Sequence, residues 1–500
     1  MTPISIWRWL LPAPGVGALL TLAFAPYDYG YAAIPALMFI YRIWLLPTKY
    51  HPILLSYLFG VGLFAAGIWW VYISIHDFGG ADGLSAIGLT SLLVGFWALF
   101  PALAGLVVVR LMRHSRPGWR VFAAAFVWIS VEYLRGNYLL NGFPWLQIAY
   151  SQLNSPLAGY APLVGVYGIG FLLAVSAFIL TEVLLTKLSS RYIWLILAIW
   201  AGGQLLKNVA WTQAAGEPIK ITLVQGNISQ DQKWQSNQRL TTLQLYRHLT
   251  EQHWDSKVII WPETAIPAFL SQVQTAYLDP LAAEARRHDT DLVVSMPSGG
   301  EGNQYFNSVL ALSDKPTLYH KNHLLPFGEY LPLQPLSGWV LDWLEIPLGD
   351  FTAGADRQPL LTAGGYAFVT TICYEDAFGE LVSRQIGDAG YIVNVTNDAW
   401  FGDSAQAFQH MQMAQMRALE TGRYLVRVTN TGVTGFIGPD GKVRSQAATF
   451  TTTTLTDTIV PMSGITPYSR FGDTTVFAGL LALLGLAYAI NMLNNSDRTS

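Results

Sequence analysis

Seven apolar stretches follow one another through the first 210 residues of this 500-residue chain, and that succession constrains the fold more than any other feature. They lie near 9–26, 29–47, 53–75, 84–109, 119–136, 162–186 and 191–207. Each is at or near the about 20 residues that an α-helix needs to cross a hydrocarbon layer. An eighth, 474–492, centres on VFAGLLALLGLAYAI. Burying all of them in one soluble core is implausible, because charged residues make up 12% of the chain against about 25% in a typical soluble domain. With 52% hydrophobic residues and a mean hydropathy of +0.33, the composition points to a membrane protein. Pro12 and Pro14 interrupt the first stretch and further spans follow at once, which does not suit a cleaved signal peptide.

Charge divides the chain. Residues 1–210 hold 11 Lys/Arg and 5 Asp/Glu, whereas 211–473 hold 17 and 26. The expected organisation is a membrane domain over 1–210 with seven transmembrane helices, a globular domain over 211–473, an eighth transmembrane helix over 474–492 and a tail over 493–500. Basic residues between spans favour the cytoplasmic side. The N-terminus and the second, fourth and sixth connections carry nine of them, among them Arg42, Arg113, Arg116 and Arg191, and the other side only Arg135 and Lys207. This bias predicts a cytoplasmic N-terminus, residues 211–473 outside and the tail inside. The net charge of −3 argues against a nucleic-acid partner, which needs a basic face. A single cysteine, Cys373, excludes an intramolecular disulfide and a multi-cysteine metal site. A free thiol in an exported domain needs a reason.

One connection on the outer side, 137–161 (NYLLNGFPWLQIAYSQLNSP at its core), is long and rich in Asn, Pro and aromatic residues. It reads either as an interfacial aromatic belt or as the wall of a lipid-facing cleft. In the globular part, short apolar runs at 219–224, 257–260, 291–296, 366–372, 391–396 and 424–428 read as strands, and 236–255, 274–288, 376–388 and 404–421 as helices between them. Strands alternating with helices predict an α/β layered sheet. Polar residues gather just after strand ends, where open α/β sheets place their sites: Glu263, Cys373–Tyr374–Glu375 and Asn397–Asp398.

Cys373 ends the apolar run FVTTIC and is followed at once by Tyr-Glu-Asp and a predicted helix. A strand-to-helix turn places a thiolate near helical N–H groups, which lower a thiol pKa. Glu263, between two prolines in WPETAIP, suits a general base, and Lys321, in YHKNHLLPFGEYLP, suits an oxyanion-side cation. His320 and His323 flank Lys321 without a third ligand for zinc. GVYGIGF at 165–171 lies in a predicted span and suits close helix packing rather than nucleotide binding. Trp400 and Phe401 read as core packing, with an acyl pocket as the alternative.

Glu263, Lys321 and Cys373, in that order and within WPET, HK…PFGEY, CYED and NVTNDAWFG, resemble the nitrilase superfamily of carbon–nitrogen hydrolases over roughly 219–460. The resemblance implies an α-β-β-α sandwich with a Glu-Lys-Cys triad. Such a domain, carried between seven preceding spans and one following span, resembles the apolipoprotein N-acyltransferase family along essentially the whole chain. The resemblance implies Glu263 as base, Cys373 as nucleophile and Lys321 as cation, and gives Glu329 a supporting role in proton transfer. It makes Tyr374 and Glu375 essential neighbours of the nucleophile and puts Trp234 on a mobile loop near the site. It further implies a two-step acyl transfer from the sn-1 position of a phospholipid, phosphatidylethanolamine foremost, through a Cys373 thioester to the N-terminal amine of an S-diacylglyceryl-cysteine apolipoprotein. No cofactor or metal is expected, and the protein is expected to be a monomer in a bacterial inner membrane with its catalytic domain in the periplasm. Two other readings remain open from the residues alone. One is a membrane-tethered amidase acting on a soluble amide. The other is a transporter with an outer binding domain, against which the scarcity of charges within the spans argues.

Overall fold

Alternation along the strands decides the layers of the globular unit, because successive side chains of a strand point to opposite faces. In the strand Ile219–Gln225, Ile221 and Leu223 face one apolar layer while Val224 faces another. In the computed structural model, which describes residues 6–48, 51–111, 115–185, 188–302, 304–332 and 351–496 (side chains to residue 489), fourteen strands are found. They are β1 (Gln213–Ala214), β2 (Ile219–Gln225), β3 (Val258–Ile260), β4 (Asp291–Gly299), β5 (Tyr305–Leu312), β6 (Thr317–His320) and β7 (Leu361–Ala363). Then follow β8 (Tyr366–Ile372), β9 (Tyr391–Thr396), β10 (Leu425–Thr429), β11 (Gly435–Ile437), β12 (Val443–Gln446), β13 (Thr453–Ile459) and β14 (Met462–Ser463).

Two six-stranded sheets result, in the orders β13-β2-β3-β4-β5-β6 and β12-β11-β10-β9-β8-β7, while β1 pairs with β14. Within them β2, β3 and β4 run parallel, as do β8, β9 and β10. The inner faces meet: Ile221, Leu223, Ile260 and Val293 of the first sheet pack with Phe368, Ile372, Val393 and Val428 of the second. On the outer face of the first sheet, Val224, Ile259 and Val294 lie under Leu243 and Tyr246 of the helix Arg239–Glu251 and Leu281 and Ala285 of the helix Asp279–Arg287. On the outer face of the second, Val369, Ile392 and Leu425 lie under Val382 of Gly379–Gln385 and Met411, Ala414 and Ala418 of Ala405–Thr421. The architecture is an α-β-β-α sandwich.

All six expected strands are present, five with ends within one residue and that at 291–296 extended by three to Gly299, and the remaining strands were not anticipated at the same resolution. The expected helix 274–288 starts earlier, at Leu270, and widens into a π-turn over Gln274–Leu278. Pro280 explains the widening, since it has no N–H to bond one turn back. The expected helix 376–388 is confined to Gly379–Gln385, because Cys373–Ala377 forms a tighter 3₁₀ turn.

The chain divides into two compact units, one of Met1–Tyr72, Leu84–Val209 and Phe471–Ser500, the other of Ile73–Gly83 and Ala210–Arg470. Among the described residues, three helices are long and apolar enough to cross a membrane: Gly83–Leu111, Pro156–Leu185 and Pro467–Ala489. A fourth candidate, His51–Gly67 with Val71–Phe78, is bent by 62°. The stretches expected at 9–26 and 29–47 contain shorter helices, Pro12–Leu20 and Ala33–Trp44, and that at 191–207 contains Tyr192–Leu206. Helix Pro117–Asn137 is long enough but carries Arg120, Glu132 and Arg135. The helices Pro12–Leu20 and His51–Gly67 approach until a methyl on Gly17 would lie 2.0 Å from the Phe59 carbonyl oxygen and one on Gly62 1.9 Å from that of Pro14, so only glycine fits there.

The segment 137–161 is only partly exposed. It folds into short 3₁₀ turns and packs inside its own unit, with Trp145, Ile148, Tyr150 and Gln152 buried. Arg135 donates to the carbonyls of Phe143 and Trp145, both at 2.6 Å, and Glu132 accepts from the Ile148 N–H at 3.1 Å. Those two charges satisfy backbone groups of an irregular segment that would otherwise be buried unpaired.

Candidate active site

Three strand ends supply the three candidate reactive residues. Glu263 follows β3, Lys321 follows β6 directly and Cys373 follows β8 directly. Two of the turns are strained: Cys373 has φ 51° and Thr264, next to Glu263, has φ 48°. Such left-handed conformations cost non-glycine residues about 1–3 kcal/mol each and persist only where the surroundings over-determine them.

Glu375 does much of that at the nucleophile. Its Oε2 accepts the Ile372 N–H at 2.8 Å, and its Oε1 accepts the N–H groups of Asn322 at 2.7 Å and His323 at 3.0 Å. The Tyr319 hydroxyl donates to it at 3.0 Å. One fully buried carboxylate thus stitches the Cys373 turn to the Lys321 turn. Burial pushes its carboxyl up to about 7, while Lys321 and the backbone donors pull it down.

Lys321, 1% exposed, pairs with Glu329 at 2.8 and 2.9 Å. Burial works against its ammonium, but the charges of Glu329, Glu263 and Cys373 outweigh burial and hold it above the ordinary lysine value. Asn307, on β5, donates its amide N–H to Glu263 at 2.7 Å and to Glu329 at 3.3 Å, so the two glutamates share one neutral donor. The Glu263 carboxyl is raised by burial, against the pull of Lys321 and Lys233.

Cys373 is partly buried. Burial pushes its thiol well above the ordinary range, and the Glu263 carboxylate adds to the shift against the pull of Lys321. This corrects the expectation of a lowered thiol pKa. The helix after the nucleophile is one short 3₁₀ turn, too weak a dipole to offset desolvation and a neighbouring carboxylate. The resting group is a thiol whose charge is coupled to a carboxylate and a paired ammonium. That arrangement suits a nucleophile that ionises only by handing its proton to Glu263.

Comparison with known proteins identifies the family. Residues 16–179 match the apolipoprotein N-acyltransferase N-terminal domain, and residues 220–467 match the carbon-nitrogen hydrolase family. A curated apolipoprotein N-acyltransferase from Methylococcus capsulatus is 47% identical over 96% of this chain and 96% of its own. The chain belongs to the apolipoprotein N-acyltransferase family. A relative of the same name from Nitrosomonas europaea is 43% identical over 95% of this chain and 96% of its own. Among solved structures, an amidase from Nesterenkonia sp. covers 52% of this chain and 95% of its own, with 18% identity and a TM-score of 0.38.

Of the residues singled out in the sequence, Glu263, Lys321, Cys373, Glu329 and Glu375 are joined by hydrogen bonds or charge coupling. Tyr374 is buried, its ring 5.1 Å from Phe378 and 6.1 Å from His323. Trp234 stands apart, 52% exposed at the end of the short helix Gln230–Lys233. Trp400 is not a core residue: it is 39% exposed and meets Phe78 edge-on at 5.8 Å. His320 hydrogen-bonds Ser308 at 2.8 Å, and His323 packs on Phe378.

Three features escaped the sequence reading: Asn307, Lys233 and a charge network behind the nucleophile. In that network Arg427 reaches Asp376 and Asp398, both at 3.0 Å, and Asn394 at 2.6 Å. His410 reaches Asp376 at 2.7 Å and Asp398 at 3.0 Å. Asn394 in turn donates to the Cys373 carbonyl at 3.3 Å. Asp398 was singled out as a polar residue after a strand end, and Asp376 stands inside CYED, a signal that could have found it; nothing local marks His410 or Arg427.

Proposed function

We propose that this chain N-acylates apolipoproteins, taking the acyl chain from the sn-1 ester of a phospholipid, phosphatidylethanolamine foremost. Membership of the apolipoprotein N-acyltransferase family supports the activity, and the observation that carries the chemistry is the buried coupling of Cys373 to Glu263 and Lys321. In the first half-reaction the Cys373 S–H proton passes to Glu263 and the sulfur attacks the ester carbonyl. The N–H of Tyr374 and the ammonium of Lys321 hold the oxyanion. The C–O bond breaks, and the leaving lysophospholipid oxygen takes the proton from Glu263. In the second, the free amine of the diacylglyceryl cysteine attacks the thioester and gives a proton to Glu263. The C–S bond breaks, and the thiolate recovers that proton. Each half-reaction balances without ATP or CoA, because the ester supplies the activated acyl group.

On this reading Glu329 fixes Lys321, Glu375 fixes both turns and Trp234 borders the entrance. The chain crosses a bacterial inner membrane with eight spans, over 1–210 and 474–492. Residues 211–473 are periplasmic, the 493–500 tail is cytoplasmic, and the protein works as a monomer. Both substrates keep their acyl chains in the bilayer, which gives many spans a purpose beyond anchoring.

The test is an intact-mass spectrum of the purified protein after incubation with phosphatidylethanolamine, beside Cys373→Ala. A hydroxylamine-labile adduct of one acyl chain, absent from the variant, is the expected result. A folded protein with a free thiol and no adduct would overturn the lipid donor.

A further inference from the structure

Lys233 is a buried cation for which the mechanism above has no use. It is 4% exposed, and among the described residues its ammonium makes one hydrogen bond, to the main-chain carbonyl of Glu263 at 3.1 Å. An ammonium has three N–H donors, so two remain for something else. The charges that act on it are those of Glu263 and Cys373.

The segment that carries it is held firmly. Asn430, just after β10, accepts the Ile228 N–H at 2.9 Å and donates to the Ile228 carbonyl at 2.7 Å. The Asn430 carbonyl accepts the Asn227 N–H at 2.9 Å, and Asn397, just after β9, donates to Gln230 at 2.8 Å. Four hydrogen bonds to the ends of two central strands thus present one lysine to the site. Desolvating an ammonium is expensive unless opposite charge compensates it.

Lys233 supplies the second of two cations that act on Glu263, which Asn307 joins to Glu329. At rest Glu263 and Glu329 are matched by Lys321 and Lys233. Lys321 is already engaged by Glu329 through both carboxylate oxygens. When the thiol proton moves to Glu263, the negative charge moves to sulfur, and Lys233 is the cation not held by another carboxylate.

We propose that Lys233, held against the Glu263 main chain, is a second functional cation that compensates the negative charge as it passes from Glu263 to Cys373, leaving Lys321 to the substrate oxyanion. Burial lowers the Lys233 ammonium to about 8, against the pull of Glu263 and Cys373, so the compensating charge is strongest where the thiolate is present.

The inference rests on Cys373 being the nucleophile, and the experiment separates the two. The rate of iodoacetamide alkylation is measured against pH for the full-length protein and for Lys233→Met, Lys233→Gln and Lys233→Arg. Cys373 is the chain's only thiol, so the signal has one source. Loss of the cation is expected to move the midpoint up by about one pH unit and to slow alkylation about tenfold near neutral pH, with Arg restoring most of the rate. Gln keeps a donor for the Glu263 carbonyl without the charge, and it carries the test if Met does not fold. Neutral variants that fold and alkylate on the parent profile overturn the role of Lys233. An acyl adduct that survives Cys373→Ala overturns the site itself.

Discussion

The thiol of Cys373 is held protonated by burial and by the Glu263 carboxylate, so Glu263 has two opposed effects on it. Its charge disfavours the thiolate, whereas on the proposed mechanism its basicity removes the proton. Glu263→Gln separates them, since the amide oxygen still accepts from Asn307. Alkylation of Cys373 is expected to shift to lower pH in this variant, while acyl transfer falls about 10²–10⁴-fold, the usual worth of a general base. An alkylation profile shifted upward would mean that Glu263 does not bear on the thiol electrostatically. The sequence made this residue legible because WPET fixes it at a strand end between prolines. The direction of the thiol shift was not legible, because desolvation depends on which groups the fold stacks around the sulfur.

Behind the nucleophile, β8, β9, β10 and the helix Ala405–Thr421 are tied by ionic groups with almost no solvent access. Asp376 follows β8, Asp398 follows β9, Arg427 is on β10 and His410 is on the helix. His410 faces a carboxylate oxygen at each ring nitrogen, and only the imidazolium donates to both. Burial and Arg427 oppose that charge, but Asp376 and Asp398 outweigh them and raise the imidazole above its ordinary value. The stabilisation is therefore full below the unfolded-state pKa of about 6.5 and is lost as pH rises through the folded one. Asp398 behaves oppositely. Burial raises it, but Arg427 and His410 hold it down at about 2, so its contribution is lost only as pH falls toward that value. The melting temperature of the parent protein is expected to fall as pH rises above about 6.5, and that of His410→Gln to fall less. Parallel slopes for the two would show that the histidine is not the titrating group. The sequence could not reveal this arrangement, since its members lie up to 51 residues apart and their meeting depends on strand order. The strands themselves were legible, because fully buried β-branched runs such as YIVNVT have few other uses.

For the whole molecule, apolar periodicity found the apolar stretches but not the lengths of the helices within them, as the helices Pro12–Leu20 and Ala33–Trp44 show. Composition likewise could not tell which residues of 137–161 are buried, because its aromatic residues suit an interface as well as a core. The orientation is open to direct measurement. In a Cys373→Ala background the chain has no thiol, so single cysteines report alone. With the outer membrane permeabilised, Lys442→Cys, on an exposed turn, is expected to react with a membrane-impermeant maleimide, and Arg498→Cys only after lysis. The reverse pattern would invert the topology.

The burial that keeps the resting thiol protonated has a consequence outside catalysis. Peroxides and disulfides attack thiolates, and sulfur oxidised to the sulfinic level is not readily recovered. On the proposed function and topology, the one cysteine waits in an oxidising compartment and gains from being ionised only when Glu263 takes the proton. The same desolvation that slows the chemistry at rest shields the nucleophile from damage between turnovers.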